Sequence, residues 1–368
     1  MPQHVRGRTT RQAHVGLPEG TVEEEFGRRG FYGAASHLYR LHPPTGWTGI
    51  EGPLRPHALD LDRIAAGDEV WPTDVLVNAD VRLGTWALAP TGDAPGDPSP
   101  QQPFLRDADG DLTLFVHRGE GTVETDFGPL TYAPGDYLVL PRGTTFRVRA
   151  AAATALLTIA TVAAIAPPDK GLLGRHALWD ETAVRIPDVD PHDEAGDFAV
   201  LVRQRGATTA IRYPFHPLDV VGWKGDLSAF ALHVDDLKPV SSYAYHLPPS
   251  AHTTFVARNV VVCTFVPRPL ETAPDALKVP FYHRNIDYDE VIFYHHGDFF
   301  SRAGISPGMV TWHPQGIHHG PHPKAVANAG AKDFADEIAV MIDARHPLEL
   351  TAAGARVERE DYWASWQE

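Results

Sequence analysis

A single cysteine, Cys263, serves the whole 368-residue chain. No disulfide can form within it, so a disulfide-stapled fold is excluded. Positive charge is also scarce. Lys and Arg number 32 against 47 Asp and Glu, a formal net charge of −15. Nucleic acid and anionic membrane surfaces are therefore not the expected partners. No apolar run reaches the ~18 residues needed to cross a bilayer. The nearest, residues 150–167, is interrupted by Thr154, Thr158 and Thr161. The opening segment, MPQHVRGRTTRQAHVG, has no apolar core of the kind a secretory signal carries. The expectation is a soluble, cytoplasmic protein.

What the chain does contain is apolar mass and punctuation. It is 43% hydrophobic and 10% aromatic, enough to bury a sizeable core. Its 32 Gly and 33 Pro fall between short β-rich runs, the pattern of sandwiches and barrels. Strands are expected at 36–41, 112–117, 121–126, 131–132, 137–140, 145–149, 256–265, 291–295, 309–313 and 338–343. Helices are expected to be few, with one short turn at 333–337. Residues 1–60 read as an extended arm, and 89–101 as a turn-rich loop. Cys263 lies in the apolar run Val260–Phe265 and reads as a buried core thiol. Tyr362, Trp363 and Trp366 suggest a packing segment at the C-terminus. The length predicts two domains, placed at 1–230 and 231–368.

The two halves share a detail. Pro134-Gly135 opens a strand that runs into Pro141-Arg142-Gly143-Thr144-Thr145-Phe146. Pro307-Gly308 opens another that runs into Pro314-Gln315-Gly316-Ile317-His318-His319. An internal duplication accounts for this, with Phe146 in one copy where His319 stands in the other.

The second copy lies in the most informative stretch, 281–321, which holds six His: His283, His295, His296, His313, His318 and His319. His283, Glu290, Gly297 and then Pro314, Gly316 and His319 follow the two short motifs of a cupin barrel, with Asn285 where the first motif usually has its second His. Ligands from different strands would converge inside the barrel. His283, Glu290 and His319 form a 2-His-1-carboxylate set that suits Fe(II) and leaves coordination positions open; Mn(II) and Zn(II) stay open alternatives. Asp289 is a second carboxylate beside Glu290, but neighbours on a strand face opposite ways. Only Glu290 has the motif's spacing to Gly297. His295, His296 and His322 read as bystanders.

These residues resemble the homogentisate 1,2-dioxygenase family. The likeness includes Tyr282-His283-Arg284-Asn285 with its following Glu, and His319-Gly320-Pro321. It extends to 218–226 (LDVVGWKGD), His246-Leu247-Pro248-Pro249-Ser250, the 109–143 region, and Leu17-Pro18-Glu19-Gly20 with Leu38-Tyr39-Arg40. It thus spans nearly the whole chain. It implies a mainly β bicupin: a degenerate, metal-free N-terminal cupin at about 104–165 and a catalytic C-terminal one. It implies iron on His283, Glu290 and His319, an acid–base role for His246, and a place for His313 at the pocket, either behind the metal ligands or in contact with substrate. The reaction implied is oxygenative ring cleavage, homogentisate plus O₂ to maleylacetoacetate, in tyrosine and phenylalanine catabolism. The substrate would be a small aromatic diphenol. By analogy the assembly would be a homo-oligomer, trimer or hexamer. The chain departs from the family by its shorter length and by one extra residue between His283 and Glu290. His318 also replaces a Pro. Phe299 stands where the family has a Tyr associated with the substrate carboxylate, and Phe has no donor. A gentisate- or hydroquinone-type para-diphenol therefore stands as an alternative substrate. A non-oxygenase cupin metalloenzyme and a ligand-binding bicupin are the readings outside that chemistry.

Overall fold

The computed structural model describes residues 4–65, 70–91, 102–278, 281–328 and 332–367. Most of the turn-rich 89–101 segment lies outside those residues. The chain is mainly β and forms two cupin-type barrels.

Two sheets build the first barrel. One has seven strands, in the order Phe230–His233, Asp136–Leu140, Asp111–Arg118, Thr154–Thr161, Val81–Leu88, Thr73–Val77, Glu349–Leu350. The other has six: Ala207–Phe215, Ala195–Gln204, Phe104–Asp107, Thr145–Ala150, Gly121–Thr125, Leu130–Tyr132. The second barrel uses a six-stranded sheet, ordered Thr253–Ala257, Val260–Phe265, Glu337–Ala344, Asp289–Gly297, Met309–His313, His57–Asp60. A three-stranded sheet, Tyr282–Asn285, Val22–Gly27, Ala35–Arg40, accompanies it. The ends of the chain cross between the barrels: His57–Asp60 joins the second, Glu349–Leu350 the first.

The strand Asp136–Leu140 is buried at every position, and the period of two explains why. Leu138 and Leu140 point into the first barrel with Leu114, Phe146 and Trp86. Tyr137 and Val139 point the other way, into a layer shared with Phe255, Phe293 and Val340 of the second barrel. One sheet therefore serves two cores, and the barrels pack sheet against sheet. Across this layer the Tyr137 and Thr264 hydroxyls bond at 2.8 Å.

The two copies of the Pro-Gly motif keep the same backbone. Gly143 and Gly316 have φ of 83° and 85°, a left-handed conformation that favours glycine. Each turns the chain out of a strand, Asp136–Leu140 or Met309–His313.

Two expectations are corrected. The run 256–265 is not one strand but a hairpin, Thr253–Ala257 and Val260–Phe265. Asn259, at φ 65°, supplies the left-handed turn residue. Residues 333–337 hold no helical turn. Phe334–Ala335 is extended and pairs with Arg268–Pro269. The aromatic tail packs as expected, with Tyr362 and Trp366 buried on Ala58 and Met309. Cys263 is buried and free.

The strand Val22–Gly27 carries three successive acids, Glu23, Glu24 and Glu25, all buried. They alternate in direction. Glu24 faces Arg40, His318 at 2.6 Å and Arg284 at 3.5 Å. Burial alone would raise its pKa, but His318 and Arg40 outweigh that and hold it below 4.5. A carboxylate depressed in the folded state stabilises fully above its unfolded pKa and loses that contribution as pH falls. Acidification below about pH 4.5 is therefore expected to undock the hairpin 22–40 before the barrels unfold. Hydrogen exchange that rises in 22–40 no earlier than in 136–140 would contradict this.

Candidate metal centre

His283 sits on Tyr282–Asn285, Glu290 on Asp289–Gly297, and His319 just after the turn that follows Met309–His313. The backbones of His283 and His319 exchange two hydrogen bonds of 2.9 Å. Gly320 permits this approach: a Cβ there would lie 2.8 Å from the Phe281 carbonyl oxygen. The three side chains converge, with their ligand atoms within 4.8 Å of one another, and all are buried. Glu290 Oε2 lies 3.2 Å from His283 Nε2 and 3.6 Å from His319 Nε2.

The far nitrogens are tied down. His283 Nδ1 is 3.1 Å from the Phe281 carbonyl oxygen, and His319 Nδ1 is 3.1 Å from that of Ile317. A carbonyl only accepts, so both rings donate from Nδ1 and turn Nε2 inward. His319 Nε2 is buried without a hydrogen-bond partner among the described residues, while His283 Nε2 meets Glu290 Oε2 at 3.2 Å. Two Nε2 atoms and a carboxylate turned toward one point, with outer hydrogen bonds orienting the rings, fit a divalent metal that would take the place of the proton between His283 and Glu290. Burial alone would raise the Glu290 pKa, but His319, His283 and His313 outweigh it and hold the carboxyl well below its ordinary range.

Asp289 faces the opposite way. Its Oδ1 accepts from the Gln315 backbone N–H at 2.9 Å and Gln315 Nε2 at 3.1 Å; its Oδ2 accepts from Trp312 Nε1 at 2.9 Å and the Leu348 N–H at 2.8 Å. It fastens the barrel end from outside the site. Asp289→Ala strands those donors and is expected to cost about 3–5 kcal/mol. Urea denaturation measures it, and a loss under about 1 kcal/mol would contradict this role.

A cavity opens beside the triad. Its walls include His246, Phe281, Phe300, Arg302, Arg268 and Glu337, together with His283 and Glu290. His246 Nδ1 lies 2.8 Å from Glu271 Oε1. The carboxylate accepts, which leaves the proton on Nδ1 and Nε2 free as a base. Burial lowers the His246 pKa, and Glu271 partly opposes it.

His313 does not line the cavity but takes the place behind the metal ligands. It is fully buried, with Nδ1 3.1 Å from Glu290 Oε1 and its ring stacked on His319 at 5.1 Å. It orients the carboxylate. Phe299 packs on Tyr294, ring centroids 4.8 Å apart, in the apolar layer behind the wall. Its neighbour Phe300 faces the cavity. His318 pairs with Glu24, His322 with the Ser365 carbonyl oxygen at 2.6 Å, and His295 with His117 at 3.0 Å. His296 is exposed.

Sequence reasoning missed five groups. Glu271, Arg268 and Glu337 lie in runs without a motif. Arg302 had a faint signal, a cation three residues after Phe299 and five after Gly297. Asp343 pairs in register with Glu290 on the adjacent strand, and burial followed by the Glu290 and Asp289 charges pushes its pKa well above 3.8. It lies behind the site.

The models of two family domains match this chain. The N-terminal domain of homogentisate 1,2-dioxygenase covers residues 97–234, and the C-terminal domain covers 233–368. A relative from Saccharolobus solfataricus, named "Putative dioxygenase SSO1533", is 33% identical over 99% of this chain and 98% of its own length. The chain belongs to the homogentisate 1,2-dioxygenase family. Relatives named homogentisate 1,2-dioxygenase include those of Sinorhizobium fredii, 28% identical over 72% of this chain, and Bradyrhizobium diazoefficiens, 26% identical over 71%. The matched region spans 62% of the length of each. Among solved structures, a cupin 2 conserved barrel domain protein from Leptotrichia buccalis matches at 10% identity with a TM-score of 0.35, over 78% of this chain and 96% of its own. YlbA from E. coli matches at 10% identity and TM-score 0.35, over 82% and 95%. This family member thus matches both family domains.

Proposed function

We propose that this chain is an Fe(II)-dependent ring-cleaving dioxygenase of a carboxylated para-diphenol, with homogentisate as the first substrate to test. One observation carries the reading: the Nε2 atoms of two imidazoles and one carboxylate converge beside a cavity that also holds a carboxylate-oriented His246. His283, Glu290 and His319 would hold the iron. Fe(II) held there would supply the redox chemistry that couples a diphenol to O₂. The single carboxylate leaves the site a net positive charge with a divalent ion, which would favour an ionised phenol. His246 takes that phenolic proton on Nε2 while Glu271 stabilises the resulting imidazolium. The apolar wall of Phe281, Ile292 and Phe300 seats the ring and keeps bulk water away.

Arg302 is the reading's carboxylate anchor, in place of the hydroxyl that Phe299 lacks. Its side chain is buried at the cavity. Nη1 donates to the Gly320 carbonyl oxygen at 2.8 Å, while Nε is buried without a partner. A substrate carboxylate supplies the missing acceptor. Arg302→Met is expected to raise KM for homogentisate about 10–100-fold, the worth of a charged hydrogen bond, and to impair hydroquinone turnover less, since there only the 3.6 Å contact with Glu290 is lost. Equal losses on both substrates would rule the anchor out.

The direct test is O₂ uptake by iron-loaded protein with homogentisate, gentisate and hydroquinone. Absence of uptake with all three removes the reading.

A further inference from the structure

The hairpin beside the cavity carries a second set of two imidazoles and one carboxylate. Glu23 lies on the strand Val22–Gly27, His37 on Ala35–Arg40, and His14 in the segment leading to them. Their ligand atoms lie within 4.8 Å of one another. His14 Nδ1 is 2.6 Å from Glu23 Oε1, and His37 Nδ1 is 3.2 Å from the same oxygen. The His14 backbone N–H also donates to both Glu23 oxygens at 3.2 Å. From this chain's residues we propose a second metal site, taking a divalent transition-metal ion of the Zn(II) class on His14 Nδ1, His37 Nδ1 and Glu23.

Three observations carry this, independently of the reaction. First, His14 is only 6% exposed, and among the described residues its Nδ1 makes no aligned hydrogen bond although a carboxylate oxygen is so near. Metal–ligand bonds of ~2.0–2.2 Å in a tetrahedral shell set neighbouring ligand atoms ~3.4 Å apart. His37 Nδ1 and Glu23 Oε1 already stand close to that spacing, and an ion would open the 2.6 Å between His14 Nδ1 and Glu23 Oε1 toward it. Second, the opposite nitrogen of the same ring, Nε2, lies 3.7 Å from Glu25 Oε2. A metal-bound imidazole characteristically turns its other nitrogen to a carboxylate, which fixes tautomer and ring orientation. Third, Glu23 and Glu25 are both buried, and among the described residues their ion pairs are with imidazoles only. One divalent ion would balance the two carboxylates in place of the proton on His14: burial lowers the His14 pKa, but Glu23 and Glu25 outweigh it and raise it to about 9 when no ion is bound.

His14 also holds φ 65°, a conformation uncommon for a residue with a Cβ. A bond from its ring to an ion would help retain it. The role is structural. His14 lies against Phe281 at 4.7 Å and His246 at 6.2 Å between ring centroids. An ion on the hairpin would buttress the wall that positions both. His37 is partly exposed and leaves room for water as a fourth ligand.

The test is metal stoichiometry of the full-length chain, stripped with a chelator and reloaded with Zn(II). Elemental analysis is expected to find two equivalents in the parent protein, one in Glu290→Ala, one in His37→Ala, and none in the double variant. A His37→Ala protein with the parent's stoichiometry, or a Glu290→Ala protein with no zinc, overturns the site. A second measurement needs no change in the hairpin. Co(II) added to Glu290→Ala is expected to give a d–d absorption spectrum and to raise the thermal midpoint. Absence of both also overturns the proposal, and leaves His14 and Glu23 as an imidazolium–carboxylate pair. Either result is separate from the dioxygenase reading, because Glu290→Ala has already removed that centre.

Discussion

Glu290→Ala is expected to lose iron and, with it, all oxygen uptake. The carboxylate is the only anionic member of the triad, and it also receives His313 at 3.1 Å and lies 3.6 Å from Arg302. Its removal takes away the charge that offsets both the metal and that buried guanidinium. Disturbing an outer partner of a metal ligand typically costs 10–100-fold in affinity. Loss of the ligand itself should exceed about 100-fold. Iron content after anaerobic loading checks this, alongside a far-ultraviolet circular dichroism spectrum that matches the parent. Retained iron with turnover would rule out the ligand set. His313→Gln tests the supporting role separately. Gln keeps a donor near Glu290, so iron should weaken while still binding. Asp289→Ala is the control: it faces away, and the protein that stays folded should keep its iron.

The second large effect belongs to His246. Removing a general base typically costs 10²–10⁴-fold, so His246→Gln is expected to lower kcat within that range, with iron content unchanged. The pH profile separates its chemistry from packing. A base works only when neutral, so activity falls as pH drops through its pKa. Burial has already lowered that pKa, and Glu271 raises it part of the way back. Glu271→Gln removes the raising charge. The acidic limb of the kcat profile should therefore move to lower pH, with a smaller loss at neutral pH than in His246→Gln. A limb that stays in place would show that His246 does not take the proton.

The triad was legible because motif and period agree. The distances in sequence between His283, Glu290, Gly297 and His319 are set by strand length and by turns that need glycine. The alternation of a strand separates Glu290 from Asp289. The same rule places Leu138 and Tyr137 in different cores. Strand positions such as 309–313 and 137–140 were legible because Gly and Pro bracket them. The hairpin at 253–265 was not, because its turn uses Arg258-Asn259, which an apolar run conceals. The extended pair at 334–335 was also hidden, since two residues carry no period.

His313, Phe299 and Arg302 mark the boundary. Sequence places all three near the metal stretch, but one residue of register decides whether a side chain meets the cavity or the core behind it. That register is set by bulges and pairing with distant strands. The same holds for Glu271, which reaches His246 across 25 positions. Charge count, the single cysteine, the duplicated turns and the metal donor set are determined by the chain itself, because composition and short-range spacing encode them. Which carboxylate orients His246, which cation lines the cavity, and the meeting of His14 with Glu23 and His37 were decided only by tertiary structure. They depend on non-local strand pairing and on burial, which remove water and make each charge find a partner.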